Sequence, residues 1–130
     1  MIVLDASVVI DLLLRAPDAA AIEDRVFRAD VALHAPHLMD VEVAQVMRRH
    51  ATRGDISAAR GALALGVLRQ LPVRRHPHDI LLARIWQLRA NLSAYDAAYV
   101  ALAEGLGATL LTRDAAIARV PGVKAAVEVV

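Results

Sequence analysis

Two stretches of this chain, IVLDAS (residues 2–7) and TLLTRDAA (residues 109–116), repeat one pattern: an apolar run, an aspartate, then a helix start. In an open parallel sheet, ligands bind beyond the carboxyl ends of the strands. The pattern therefore predicts Asp5 and Asp114 on that edge, with the hydroxyls of Ser7 and Thr112 beside them. Asp96 stands in the first turn of the helix that leads into the Asp114 strand, and a right-handed crossover starts such a helix at the same edge. Glu42, near the start of the helix after the second strand, can point there too. Four converging carboxylates repel and raise one another's pKa unless a cation neutralises them. Hard oxygen donors with no cysteine in the chain select Mg²⁺ or Mn²⁺. Each acid also has a simpler reading by itself. Ser93 and Asp96 have the form of a capping box, Asp5 and Asp114 of strand-to-helix caps, and Glu42 of a solvated helix residue.

Other chemistries find little support. The five histidines, 34, 37, 50, 76 and 78, include no His-x₃-His pair within a helix, and HPH at 76–78 reads as an exposed loop. A serine-hydrolase elbow and a glycine-rich phosphate loop are both absent. Lys+Arg is 15 against Asp+Glu 14, so nucleic-acid binding would have to come from local patches rather than net charge. Lys124 is the only lysine; the other basic residues are diffusely placed arginines. Phe27, Trp86, Tyr95 and Tyr99 are too few for an extended base-stacking platform.

The elements that must position the acids follow from periodicity. Strands are expected at IVL (2–4), VALHAP (31–36), PVRRHP (72–77), ATLLT (108–112) and AAVEVV (125–130). Helices are expected over 6–14 and 19–29, the latter with Ala19, Ile22, Val26 and Phe27 on its apolar face. Further helices follow over 38–54, stopped by Gly54, over 55–71, capped by Asp55, and over 79–92, with Asp79 near the cap. The clearest runs from Leu92 to Gly107, and a short one covers 113–120. Asp40 reads as a cap and Asp11 as a surface residue. Alternation of strands and helices predicts a three-layer α/β/α domain with a mainly parallel sheet of about five strands. The 130 residues, 58% hydrophobic, show no linker or repeat and read as one domain. No run reaches membrane-span length and the first residues lack a basic leader, so a cytoplasmic protein is expected.

Three segments, IVLDASVVIDLL, APHLMDVEVAQVMRR and LSAYDAAYVALAEGLGATLLTRD, together resemble the PIN domain, and more closely the VapC toxins of bacterial toxin–antitoxin pairs. The third segment is the most specific. The resemblance implies a Mg²⁺-dependent endoribonuclease, with products bearing a 5′-phosphate and a 3′-hydroxyl. It assigns the acidic quartet to Asp5, Glu42, Asp96 and Asp114 and the supporting hydroxyl to Thr112, with Ser7 at a position often small and polar. It further implies a homodimer, a VapB-like antitoxin partner, and operator DNA bound only through that partner. Excess Leu and Val around VVIDLLL and ALALGVLRQL, Leu13 and Leu65 among them, suggests a groove for the partner's apolar segment. Two other classes compete with this reading: a phosphoacceptor receiver, whose acidic pair and late lysine are missing here, and a catalytically silent binding module.

Overall fold

The computed structural model describes residues 1–130. The β-branched and leucine-rich runs form five short strands: β1 (Ile2–Leu4), β2 (Leu33–Pro36), β3 (Val73–His76), β4 (Thr109–Thr112) and β5 (Val127–Val129). They lie in the order β3-β2-β1-β4-β5, and every neighbouring pair is parallel. A parallel sheet must be covered on both faces. The helices α1 (Ala6–Leu14), α2 (Ala19–Val26), α3 (Leu38–Arg53) and α4 (Ala58–Gln70) pack against one another as one layer. The helices α5 (Leu82–Gln87) and α6 (Ala94–Leu106) form the other, with α6 lying along β1, β2 and β4. This is the three-layer α/β/α arrangement expected from the sequence.

The strand order reverses between β1 and β4, since the chain builds outward to β3 before returning to the other side of β1. Such a reversal opens a crevice at the carboxyl ends of the strands. Leu4 pairs with Leu111, and the Asp5 amide donates to the Leu111 carbonyl at 3.0 Å, so Asp5 and Thr112 emerge side by side. Leu4, Leu110 and Leu111 are fully buried beneath them. Truncating one of these to alanine would cost about 2–5 kcal/mol and loosen the platform of the crevice.

From Ala97 to Ala103 every residue of α6 is buried. Alanines at four of those seven positions let the helix lie close to the sheet, and Gly107 then ends it in the left-handed conformation (φ 63°) that glycine adopts without penalty. The apolar filling between Asp96 and Asp114 is thus one core helix and one core strand. Gly54 closes α3 in the same way (φ 81°).

Several local expectations are corrected. Ser57, not Asp55, caps α4, its hydroxyl accepting from the Arg60 amide at 3.0 Å, while Asp55 instead pairs with His50 and Arg53. The segment expected as a helix over 79–92 is a 3₁₀ turn (Asp79–Leu81) followed only by the short α5, with no side-chain cap from Asp79. The expected helix over 113–120 reduces to a 3₁₀ turn at Ile117–Arg119. Phe27 leaves the apolar face of α2 and is exposed at its end.

Candidate active site

Asp5 is buried at the end of β1, and one of its oxygens, Oδ2, takes both available hydroxyls. Thr112 Oγ1 donates to it at 2.7 Å and Ser7 Oγ at 2.8 Å. The same hydroxyl oxygens accept from the chain that follows β4: the Asp114 amide reaches Thr112 Oγ1 at 3.0 Å and the Arg113 amide reaches Ser7 Oγ at 3.2 Å. The β1 and β4 ends are thereby laced together, and Asp5 Oδ1 is left for a ligand. Although Asp5 occupies the cap position of α1, its side chain makes no capping bond.

Two of the other acids repeat this use of one oxygen. Tyr99, buried in α6, donates its phenol to Glu42 Oε1 at 2.6 Å, tying α6 to α3 across the sheet edge and leaving Oε2. Asp114 spends Oδ1 on the Ala116 amide at 2.9 Å and keeps Oδ2. At the start of α6 the Ser93 hydroxyl caps the Asp96 amide at 3.1 Å, so the cap is provided by Ser93 rather than by the Asp96 carboxylate. Asp5, Ser7, Glu42, Asp96 and Asp114 all line one cleft of about 480 Å³. Thr112, wholly buried, lies behind it.

Electrostatics mark the cluster. Burial raises the Glu42 pKa above the ordinary carboxylate value, the Tyr99 hydrogen bond partly offsets this, and the charges of Asp5 and Asp96 raise it further. Burial likewise raises Asp96, helped by Asp5 and Asp114 and opposed by the Ser93 hydroxyl. The Tyr99 phenol is held protonated by burial and by its bond to Glu42. No three of the His, Asp and Glu side chains converge tightly enough in this conformation to close on one ion. The acids ring the cleft instead. Such a donor set, all carboxylate oxygen and mutually repelling, fits a hard divalent cation that uses a few carboxylates and keeps several waters.

Asp40 and Asp11 are placed elsewhere and correct their expected roles. Asp40 does not cap α3; it forms a forked ion pair with Arg75 (Nη2 at 3.0 Å), whose guanidinium also donates to the Leu68 and Val73 carbonyls. Asp11 is half-buried and pairs with Arg113 at 2.9 Å. HPH is no free loop: His76 Nε2 lies 2.9 Å from His34 Nδ1, and His78 Nε2 accepts from the Leu38 amide at 2.9 Å. Sequence reasoning missed Tyr99 as a site residue. Its spacing of three from Asp96 on one helix face was the available signal.

A second cavity, of about 210 Å³, opens among α1, α2 and α4 and is lined by Leu12, Leu13, Phe27, Leu63 and Val67 with Arg60 at its rim. The expected apolar groove is present with one change of residue. Leu65 packs against the core, and Leu63 and Val67 present the exposed face of α4.

Against known proteins, the family model for the PIN domain matches residues 2–123. Ribonuclease VapC9 of Mycobacterium tuberculosis is 49% identical over 114 residues, covering 88% of this chain and 86% of that protein. Ribonuclease VapC12 of the same organism is 42% identical over 130 residues, covering 100% and 99%. A chain in the crystal structure of VapBC2 from Rickettsia felis, bound to a DNA fragment from their promoter, superposes with a TM-score of 0.75 over 98% of both chains. At 13% identity that likeness shows the fold alone. The β1–β4 crevice, the laced aspartate and these matches together establish that the chain belongs to the PIN-domain family, among the VapC ribonucleases.

Proposed function

We propose that residues 1–130 form one PIN domain acting as a metal-dependent endoribonuclease, the toxin of a toxin–antitoxin pair. The observation that carries this reading is the cleft ringed by Asp5, Glu42, Asp96 and Asp114, in which three of the four acids are oriented through one oxygen and present the other. A structural cap or a solvated acid has no need of that arrangement. Asp5, Asp96 and Asp114, with Glu42, would hold Mg²⁺ partly through its waters, since no three of them close on one ion directly, and Mn²⁺ would substitute. When bound, the cation supplies Lewis acidity at a phosphodiester and offsets the charge that builds there during hydrolysis. The protein's part is orientation. Thr112 and Ser7 fix the rotamer of Asp5, and Tyr99 fixes Glu42 where it can position a water for in-line attack. As water attacks phosphorus, the bond to the 3′ oxygen breaks and that oxygen takes up a proton.

The test is cleavage of purified RNA with mapping of the new 5′ ends. Wild type should cut in Mg²⁺ and be inert in EDTA, and Asp5→Asn should be inert in both. Equal cutting in EDTA would overturn the metal reading.

The partner is a VapB-like antitoxin, and operator DNA is reached only through it, in keeping with the chain's net charge of +1. Its apolar segment would enter the groove of Leu13, Phe27, Leu63 and Val67. Leu63→Glu should weaken co-purification with the product of the adjacent short gene, whereas Asp5→Asn should preserve it. The protein pairs as a homodimer, a reading supported by the exposed apolar side chains of Ile80, Leu82 and Trp86, and light scattering at micromolar concentration tests it. A cytoplasmic site of action belongs to the same proposal; no helix is long and apolar enough to cross a membrane.

A further inference from the structure

The acid-lined cleft has one cationic side chain in its wall, Arg49, and one aromatic, Tyr95. Arg49 lies on the same face of α3 as Glu42, two helical turns further on, with Gln45 and Val46 between them in the wall. Two turns correspond to about 10 Å of rise. Arg49 is exposed and enters none of the ion pairs of the molecule, although four carboxylates share its cleft. It is therefore not there to neutralise them. Tyr95 precedes Asp96 at the start of α6, with 62% of its surface exposed. Val41, 69% exposed on α3, lines the same cleft.

Taken with the ribonuclease reading, on which it rests, we infer that Arg49 and Tyr95 form a nucleotide subsite that positions RNA beside the acids. The guanidinium binds a phosphate flanking the scissile one, through the fork that matches phosphate oxygens. The ring of Tyr95 takes the face of an unpaired base next to the cleavage point, with Val41 on the apolar rim. Charge order along α3 fits this division. The acidic end faces a cation and the reacting phosphate, and the basic end faces an intact phosphate that needs a counter-charge. The cleft, at about 480 Å³, has the scale of a small-ligand pocket, suited to a single nucleotide rather than to a helix. Neither residue touches the reacting atoms, so both act on binding.

Both side chains are exposed, and their replacement leaves the core intact. Cleavage kinetics on a short oligoribonucleotide spanning a site mapped with wild type should show KM raised roughly 10-fold or more in Arg49→Ala, with kcat nearly unchanged. The slope of log affinity against log salt should fall by about 0.7, the loss of one single-strand phosphate contact. Arg49→Lys should restore the salt slope while recovering only part of KM. Tyr95→Ala should raise KM roughly 5- to 150-fold and Tyr95→Phe should not, because stacking needs the ring and not the hydroxyl. An oligonucleotide abasic beside the cleavage point should erase the Tyr95→Ala effect and leave that of Arg49→Ala. If wild type leaves RNA intact, the ribonuclease reading falls and this inference with it. If wild type cleaves while Arg49→Ala and Tyr95→Ala keep its KM and salt slope, this inference alone is overturned.

Discussion

The sheet carries two clusters of titratable side chains, and they are built on opposite plans. Around the ends of β1 and β4, four carboxylates line a cleft; three of them spend one oxygen on the protein and hold the other free. On the β2–β3 side, histidines use their ring nitrogens on the protein itself. His34 bonds His76, His78 accepts from the Leu38 amide, and the remaining nitrogen of His34 is buried without a partner. The number of ionisable groups is the same in both places if His37, packed edge-on against His78, is counted. What separates them is leftover capacity toward solvent. A cluster whose hydrogen bonds close inward is a structural element, and one whose bonds orient ligand atoms outward is a site.

The comparison breaks most visibly at Asp5. Asp5→Ala should lower RNA cleavage by about three orders of magnitude, several kcal/mol of transition-state stabilisation, as read from single-turnover rates. A variant retaining a tenth of wild-type activity would make the laced aspartate a structural feature like the histidines. Thr112→Val comes next. It removes the donor to Asp5 Oδ2 and the acceptor of the Asp114 amide, and should cost about 10- to 100-fold in metal affinity measured by calorimetry. Unchanged affinity would mean that the hydroxyl does not orient the carboxylate.

On the histidine side the effect is on stability. His34 has its pKa lowered by burial, then by His76, Arg74 and the chain's N-terminus; His76 is lowered by burial, Arg74 and His37. A folded pKa below the ordinary 6.5 means the unfolded chain binds more protons. Their stabilising contribution is therefore complete above pH 6.5 and is lost as pH falls through that value toward the folded pKa. The slope is at most about 1.4 kcal/mol per pH unit for each histidine. Urea titrations between pH 7.5 and pH 5 should show this loss, and the double change His34→Leu with His76→Leu should flatten it with little cost at neutral pH. A wild-type stability that is flat over this range would remove the inward-closed reading.

The smallest effect expected is at Asp96. Its raised pKa has the opposite consequence, since burial and the neighbouring acids penalise its charge once pH exceeds its folded value. In metal-free protein at neutral pH, Asp96→Asn should leave the melting temperature unchanged or raise stability by a few tenths of a kcal/mol, discounted because the side chain is partly open to water. Mg²⁺ should reverse the order, stabilising wild type and not the variant. A clear loss of metal-free stability would return Asp96 to the role of a cap.

Much of this protein was legible in one dimension. Strand-length runs, most of them apolar, alternating with runs of helical period pointed to a parallel sheet with both faces covered, because strands joined by helical crossovers carry a helix layer on each side. The positions of Asp5 and Asp114 just after two of those runs, and of Asp96 and Glu42 at helix starts, determined that the four acids share an edge. The cap of α6 was legible too, since Ser93 lies three residues before the amide it accepts from. Contacts between residues far apart in the chain were beyond such a reading. That Tyr99 reaches Glu42, that His34 meets His76, and that Arg75 and Arg113 claim Asp40 and Asp11 depends on which helices and strands are neighbours. So does the choice of Leu63 over Leu65 for the groove, which turns on the rotation of α4 against α1 and α2. Periodicity states that a helix has an apolar face. Only the packed structure decides how much of that face its neighbours leave uncovered, because covering is a property of pairs of elements and not of either one.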